Sequence, residues 1–185
     1  MIPVYVVGGF ILLILIWIAA TYNGLVRIRN HVQESWSDID TELKRRYDLI
    51  PNLVETVKGY AKHEQETFRL VIEARNRAVA STGSPASQAQ DENAFVRTIR
   101  QLFAVVEGYP ELKANRNFLA LQEELANTED RIQAARRFYN ANVRDLNNRV
   151  EVFPSNVIAG LFGFQRCEYF EVEDAGVRVA PQVKL

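Results

Sequence analysis

The sequence predicts an all-α protein, a single N-terminal transmembrane helix continuing into an antiparallel four-helix bundle with long helices. Three observations carry that expectation. Residues 2–20 read IPVYVVGGFILLILIWIAA, nineteen residues without a charge, in a chain that is otherwise about a quarter charged. Beyond them apolar residues recur at spacings of three and four rather than two. The last long stretch carries a near-heptad apolar seam of the kind found where helices pack at shallow angles.

The anchor comes first. At about 1.5 Å per residue, nineteen helical residues cover roughly 28 Å, close to the hydrocarbon thickness of a bilayer, with every backbone group satisfied internally. Tyr5, Trp17 and Tyr22 fall near the ends of the run, where amphipathic rings favour the headgroup region. A cleaved secretory signal fits poorly. Nothing basic precedes the run, the apolar stretch is too long, and Ile18 occupies the position that should be small before a cut after Ala20. No cysteine lies near its end to take a lipid. Gly8, Gly9, Ala19 and Ala20 are the small residues through which neighbouring anchors would pack. Arg27 and Arg29 follow the run directly, then Lys44, Arg45 and Arg46, which places the bulk of the chain in the cytoplasm by the positive-inside rule. The lone cysteine, Cys167, rules out an internal disulfide framework and fits a reducing compartment.

Residues 23–185 are enough for one domain with a real core. The expected division is an anchor over 1–22, the bundle over 23–153, and an apolar turn with an acidic tail over 154–185. Charge gives no direction toward nucleic acid, since residues 24–80 carry ten basic and nine acidic groups and residues 81–150 nine of each. Only the end leans acidic, with Glu151, Glu168, Glu171, Glu173 and Asp174 against Arg166, Arg178 and Lys184.

Leu25, Ile28, Val32, Ile39 and Leu43 form the first stripe, with Trp36 beside it, on a helix that leaves the membrane without a break. Asp48-Leu49-Ile50-Pro51 reads as a stop, with Asp48 capping a new helix and Pro51 in its first turn. The second helix carries Leu53, Val54, Val57, Ala61, Phe68, Val71, Ile72 and Val79, and ends in a Ser/Gly/Pro-rich surface loop over residues 81–87. A third holds Phe95, Ile99, Leu102, Phe103 and Val106 and stops at Gly108-Tyr109-Pro110. The fourth carries Phe118, Leu121, Leu125, Ile132, Ala135, Tyr139, Leu146 and Val150. Pro154 closes it. Ser155-Asn156 then cap a turn over residues 157–164, eight residues without a polar side chain, which covers the open end of the bundle or meets membrane or another subunit.

These residues resemble the LemA family of bacteria and some archaea. The likeness rests on Tyr22-Asn23-Gly24-Leu25-Val26, on Trp36 with Asp38-Ile39-Asp40, and on the continuous run over residues 43–60, LKRRYDLIPNLVETVKGY. Arg137-Phe138-Tyr139-Asn140 and Phe153-Pro154-Ser155-Asn156 extend it over nearly the whole chain. The resemblance implies one anchor in the bacterial inner membrane, a short outside tail and a four-helix bundle on the cytoplasmic side. Its functional themes are membrane attachment and, in some relatives, organisation of internal membranes. It supplies no reaction and no catalytic residue.

The residues themselves offer little chemistry. A helical zinc site needs a second ligand one turn away, and His63-Glu64-Gln65-Glu66-Thr67 has threonine there. Ile28 and Tyr60 stand where a di-iron pattern would place glutamates before His31 and His63. Cys167 lies in an acidic context that raises a thiol pKa, and no glycine cluster makes a phosphate cradle. No cofactor and no enzyme activity are expected. The dense polar cluster is Asp38, Asp40, Lys44, Arg45 and Arg46, with Arg136, Arg137, Asn140, Asn142, Arg144 and Asn147 on the last helix. Such pairs cross between helices or lie solvated, or they project from one side and set the register of neighbouring copies. The candidate interface is therefore Trp36, Asp38, Asp40, Lys44, Arg45, Arg46, Arg137 and Asn140, with Leu161, Phe162 and Phe164 of the apolar turn. The expected partners are the lipid bilayer and further copies of the chain, or another membrane protein if the bundle acts as an adaptor.

Overall fold

The structure, a computed structural model, describes residues 2–172, with side chains from residue 5. Glu173, Asp174, Arg178 and Lys184 of the acidic tail lie outside the described residues. Six helices and no strand are present among those described: α1 (Ile2–Lys58), α2 (Gln65–Ala80), α3 (Pro85–Glu107), α4 (Pro110–Lys113), α5 (Arg116–Glu151) and α6 (Ser155–Leu161).

Helix α1 holds 57 residues in one piece, about 85 Å at the usual rise. From Leu25 onward it presents a buried stripe of Leu25, Val32, Ile39, Leu43, Ile50, Leu53, Val54 and Val57. The stop expected at Asp48–Pro51 is not there. Proline has no N–H, so the Tyr47 carbonyl four residues back loses its helical donor. Arg75 on α2 replaces it, its Nε donating to the Tyr47 oxygen at 3.1 Å. Asp48 caps nothing and instead faces the same guanidinium at 3.9 Å. With the orphan carbonyl satisfied, continuing the helix buries Ile50, Leu53 and Val54. The break falls at residues 59–64.

The polar loop is also shorter than expected. Pro85 stands at the first helical position of α3, where a missing N–H is harmless, so only residues 81–84 connect α2 to α3. The single turn α4 follows Gly108 and Tyr109, and Asn115 then caps α5, its side chain accepting from Asn117 N at 2.9 Å and Phe118 N at 3.0 Å. Phe118, Leu125, Ile132, Tyr139 and Leu146 are buried along α5 at steps of seven, the seam read from the sequence.

Cross-helix pairs fix the topology. Asn142 donates to Ser35, Trp36 meets Tyr139, and Arg131 reaches Glu42, so α1 and α5 run antiparallel. Phe103 on α3 meets Phe118 on α5, and Arg46 on α1 meets Glu92 on α3. Helices α1, α2, α3 and α5 thus go up, down, up and down. Helix α6 packs against both α1 and α5 at the end where α1 enters the bundle. Ser155 does not cap it; its hydroxyl donates back to the Val152 carbonyl at 2.9 Å.

Candidate functional site

Ahead of the bundle, α1 is bare. It is the one helix among the described residues long and apolar enough to cross a membrane, and none of its most apolar stretch is buried. Tyr5 is 77% exposed, Trp17 40% and Tyr22 37%, and a side chain added at Gly8 or Gly9 would meet nothing within 4 Å. Ile18 begins the contact with the core.

Deep in the bundle lies a cluster that sequence reasoning missed. Arg46, placed by sequence in the polar cluster and the candidate interface, is 1% exposed. Its Nη1 donates to Glu129 at 2.8 Å and its Nη2 to Glu92, while the Tyr47 hydroxyl donates to the same Glu92. The guanidinium lies 5.5 Å from the Phe95 ring centre, and its Nε has no partner. Burial pulls the Arg46 pKa down, but Glu92, Glu129 and Tyr47 outweigh it and the net shift is upward. Burial and the Glu92 carboxylate push the Tyr47 phenol up. The cluster pins α1, α3 and α5 at one level, buried from solvent. A signal was available: Glu129 stands four residues after Leu125 and three before Ile132, and Glu92 three before Phe95. Both are carboxylates on a core stripe.

A second feature is an extended strap over residues 165–172 along α5. Asn147 pairs with both backbone groups of Cys167, donating to its oxygen at 3.0 Å and accepting from its N–H at 2.9 Å. Asn140 does the same with Phe170 at 3.0 Å and 3.0 Å. The match is geometric, since seven helical residues rise about 10.5 Å and three extended ones span about 10 Å. The Tyr139 hydroxyl donates to the Glu168 carbonyl at 2.9 Å, Arg136 to the Val172 carbonyl, and Asn93 on α3 to the Glu171 carbonyl at 3.3 Å. Phe170 is fully buried edge-on to Trp36, their ring centres 5.3 Å apart. The packed unit therefore reaches Val172, beyond the boundary expected at residue 153. Burial pushes the half-buried Cys167 thiol up and, with Cys167 and Glu168 adding to it, the Tyr139 phenol as well.

The expected interface residues do not form one face. Trp36 packs between Tyr139 and Phe170, Arg46 and Phe164 are buried, and Asn140 holds the strap. Asp38, Asp40, Lys44 and Arg45 on α1 and Arg137 on α5 point outward, with Arg45 facing Glu42 at 3.6 Å and Glu124 at 3.9 Å. Leu161 and Phe162 are exposed beside Tyr22, about 33 Å from Lys44 along α1. Among the described residues no group of three His, Cys, Asp or Glu is placed to hold a metal ion.

Residues 35–185 match the model of the LemA family. The magnetosome protein MamQ 2 of Paramagnetospirillum magneticum is 27% identical over 180 residues, covering 84% of this chain and 66% of its own length. The magnetosome protein MamQ of Magnetospirillum gryphiswaldense is 25% identical over 189 residues, 88% of this chain and 70% of its own. The protein LemA of Metamycoplasma hominis is 25% identical over 152 residues, 82% and 69% of the two chains. The chain thus spans 66% of the length of MamQ 2, just under two thirds.

Proposed function

The chain belongs to the LemA family, and on that premise we propose that it is a membrane-anchored, non-catalytic bundle whose copies associate in the plane of the bilayer and so organise or shape it. One observation carries the reading. Helix α1 passes without interruption from its bare apolar part into the bundle core, so the domain is joined to its anchor by a helix rather than by a flexible tether. A stiff junction hands the angle of each anchor to its domain, and neighbouring domains that pack side by side then impose an angle on the bilayer. The charge pattern fits a single pass through the inner membrane with the bundle in the cytoplasm, since Arg27 and Arg29 follow the span.

The outward charges Asp38, Asp40, Lys44, Arg45 and Arg137 suit contacts between identical neighbours, where charge pairs set orientation more than they add affinity. Gly8 and Gly9 leave room for a second anchor beside the first. Two of the relatives are magnetosome proteins by name, which agrees with a role on membranes. Size-exclusion chromatography with light scattering in a mild detergent tests the reading. The full chain is expected as a particle of several copies. A monomer overturns self-association, and a foreign subunit recovered in stoichiometric amount makes the protein an adaptor instead.

A further inference from the structure

Helix α6 turns two apolar faces to its surroundings. Ile158 and Ala159 are buried against the bundle, while Val157 and Leu161, one turn apart, point away at 58% and 74% exposure. Phe162 is half exposed, and Val152 and Phe153, just before the helix, are more so. Residues 152–164 contain no charge at all. A surface helix bordered by water carries polar side chains on its outward face, and α6 does not.

Its position says what lies beside it. The Phe162 ring centre is 4.7 Å from that of Tyr22, and Phe164 lies 5.9 Å from the same ring. Tyr22 is seventeen residues beyond Tyr5, about 26 Å along the helix, so it stands where α1 leaves the hydrocarbon. Cations follow just above. Arg29 sits 5.1 Å from the centre of the Phe164 ring, and Arg149 comes so close to α1 that a side chain on Gly24 would lie 2.8 Å from its Nη1. Aliphatic groups and aromatic rings at the level of the helix exit, with guanidinium groups above them, reproduce the order of acyl chain, interface and phosphate.

We propose that Val152, Phe153, Val157, Leu161 and Phe162 form a second membrane contact, seated in the headgroup–acyl boundary of the bilayer that α1 crosses. This rests on the reading of α1 as a membrane span. One helix alone leaves a domain free to tilt and to swivel about its axis. A foot beside the exit point removes both freedoms, so each copy meets the membrane at a fixed angle.

The test uses the full chain with Cys167→Ser and one new cysteine at Leu161, spin-labelled and reconstituted in nanodiscs of phosphatidylcholine and phosphatidylglycerol. Leu161 is exposed, so the label disturbs no packing. Collision with oxygen, which concentrates in lipid, is compared with collision with a water-soluble nickel chelate. Labels at Leu13 within the span and at exposed Leu119 on α5, toward the far end of the bundle, give the two references. The oxygen-to-nickel ratio at Leu161 is expected several-fold above that at Leu119. A ratio equal to that at Leu119 overturns the proposal, and so does a label shielded from both reagents, which would place another copy over the foot. A water-like ratio at Leu13 would overturn the membrane span itself.

Discussion

The two halves of α1 are the same helix carrying two different surfaces. Before Ile18 every described side chain is exposed and apolar or aromatic on all sides, with only glycines between. After Leu25 the apolar groups shrink to a stripe and the rest of the surface is polar. An all-round apolar surface has no reason to stay in water, whereas a stripe needs only a partner of matching width. One backbone geometry thus carries an all-round apolar surface and a core-facing stripe alike, and the side-chain pattern is what separates them. No hinge separates them, so whatever orients one half orients the other.

One aspartate placed in each half makes the contrast measurable. Ile39→Asp puts an unpaired charge on the fully buried stripe and removes its packing, together about 5–10 kcal/mol, comparable with the whole stability of a typical domain at about 5–15 kcal/mol. Circular dichroism melting is expected to show no cooperative transition. Leu13→Asp is expected to leave that melt intact and to weaken membrane insertion by roughly 3–4 kcal/mol, read as a larger soluble fraction after carbonate washing. If Leu13→Asp unfolds the bundle, the two halves are not separable.

The next effect comes from the buried cluster. Arg46→Met leaves Glu92 and Glu129 buried without their cation and is expected to cost about 3–5 kcal/mol in denaturant unfolding. Adding Glu92→Gln and Glu129→Gln should recover most of that loss, because the penalty lies in the stranded charges. Persistence of the full loss in the triple variant would mean that the cluster holds the helices through shape alone. Asn140→Ala removes both bonds to the Phe170 backbone, and roughly 1–3 kcal/mol of local stability is expected to disappear. Hydrogen exchange should quicken over residues 167–172 while α1 stays protected.

The smallest effect is one of pH. Tyr47 and Tyr139 have phenol pKa values raised by burial, so the unfolded chain releases those protons first as pH rises through the ordinary tyrosine value of about 10. The folded state binds more protons there, and stability therefore falls with rising pH above about 10, while below it these groups add no pH dependence. Tyr139→Phe should flatten that fall while removing one hydrogen bond, worth about 0.5–1.5 kcal/mol, at neutral pH. An unchanged slope would show that Tyr139 ionises freely in the fold.

Much of the architecture was legible because it is local. The uncharged run, the stripe from Leu25 to Leu43 and the heptad seam from Phe118 to Leu146 each follow from spacing along one helix. What could not be read depends on a second element. Pro51 breaks a helix unless something replaces its N–H, and the replacement is a side chain 24 residues further on, Arg75. Whether Arg46 is solvated or paired across helices is decided only by Glu92 and Glu129 on the facing stripes. The strap has no periodicity of its own, and only the seven-residue spacing of Asn140 and Asn147, matched to three extended residues, could have announced it. Leu161 and Phe162 were visible as an apolar oddity, but their place beside Tyr22 is a product of the chain's return to its starting point.

On the proposed reading the span stays attached, and copies with a stiff junction work by their arrangement in a membrane. Electron cryomicroscopy of the protein in native membranes would show that arrangement. Clusters of bundles on one side of the bilayer are expected, each continuing into a rod of density through the lipid. Bundles detached from the bilayer, or copies scattered singly with no contact between neighbours, would contradict that reading.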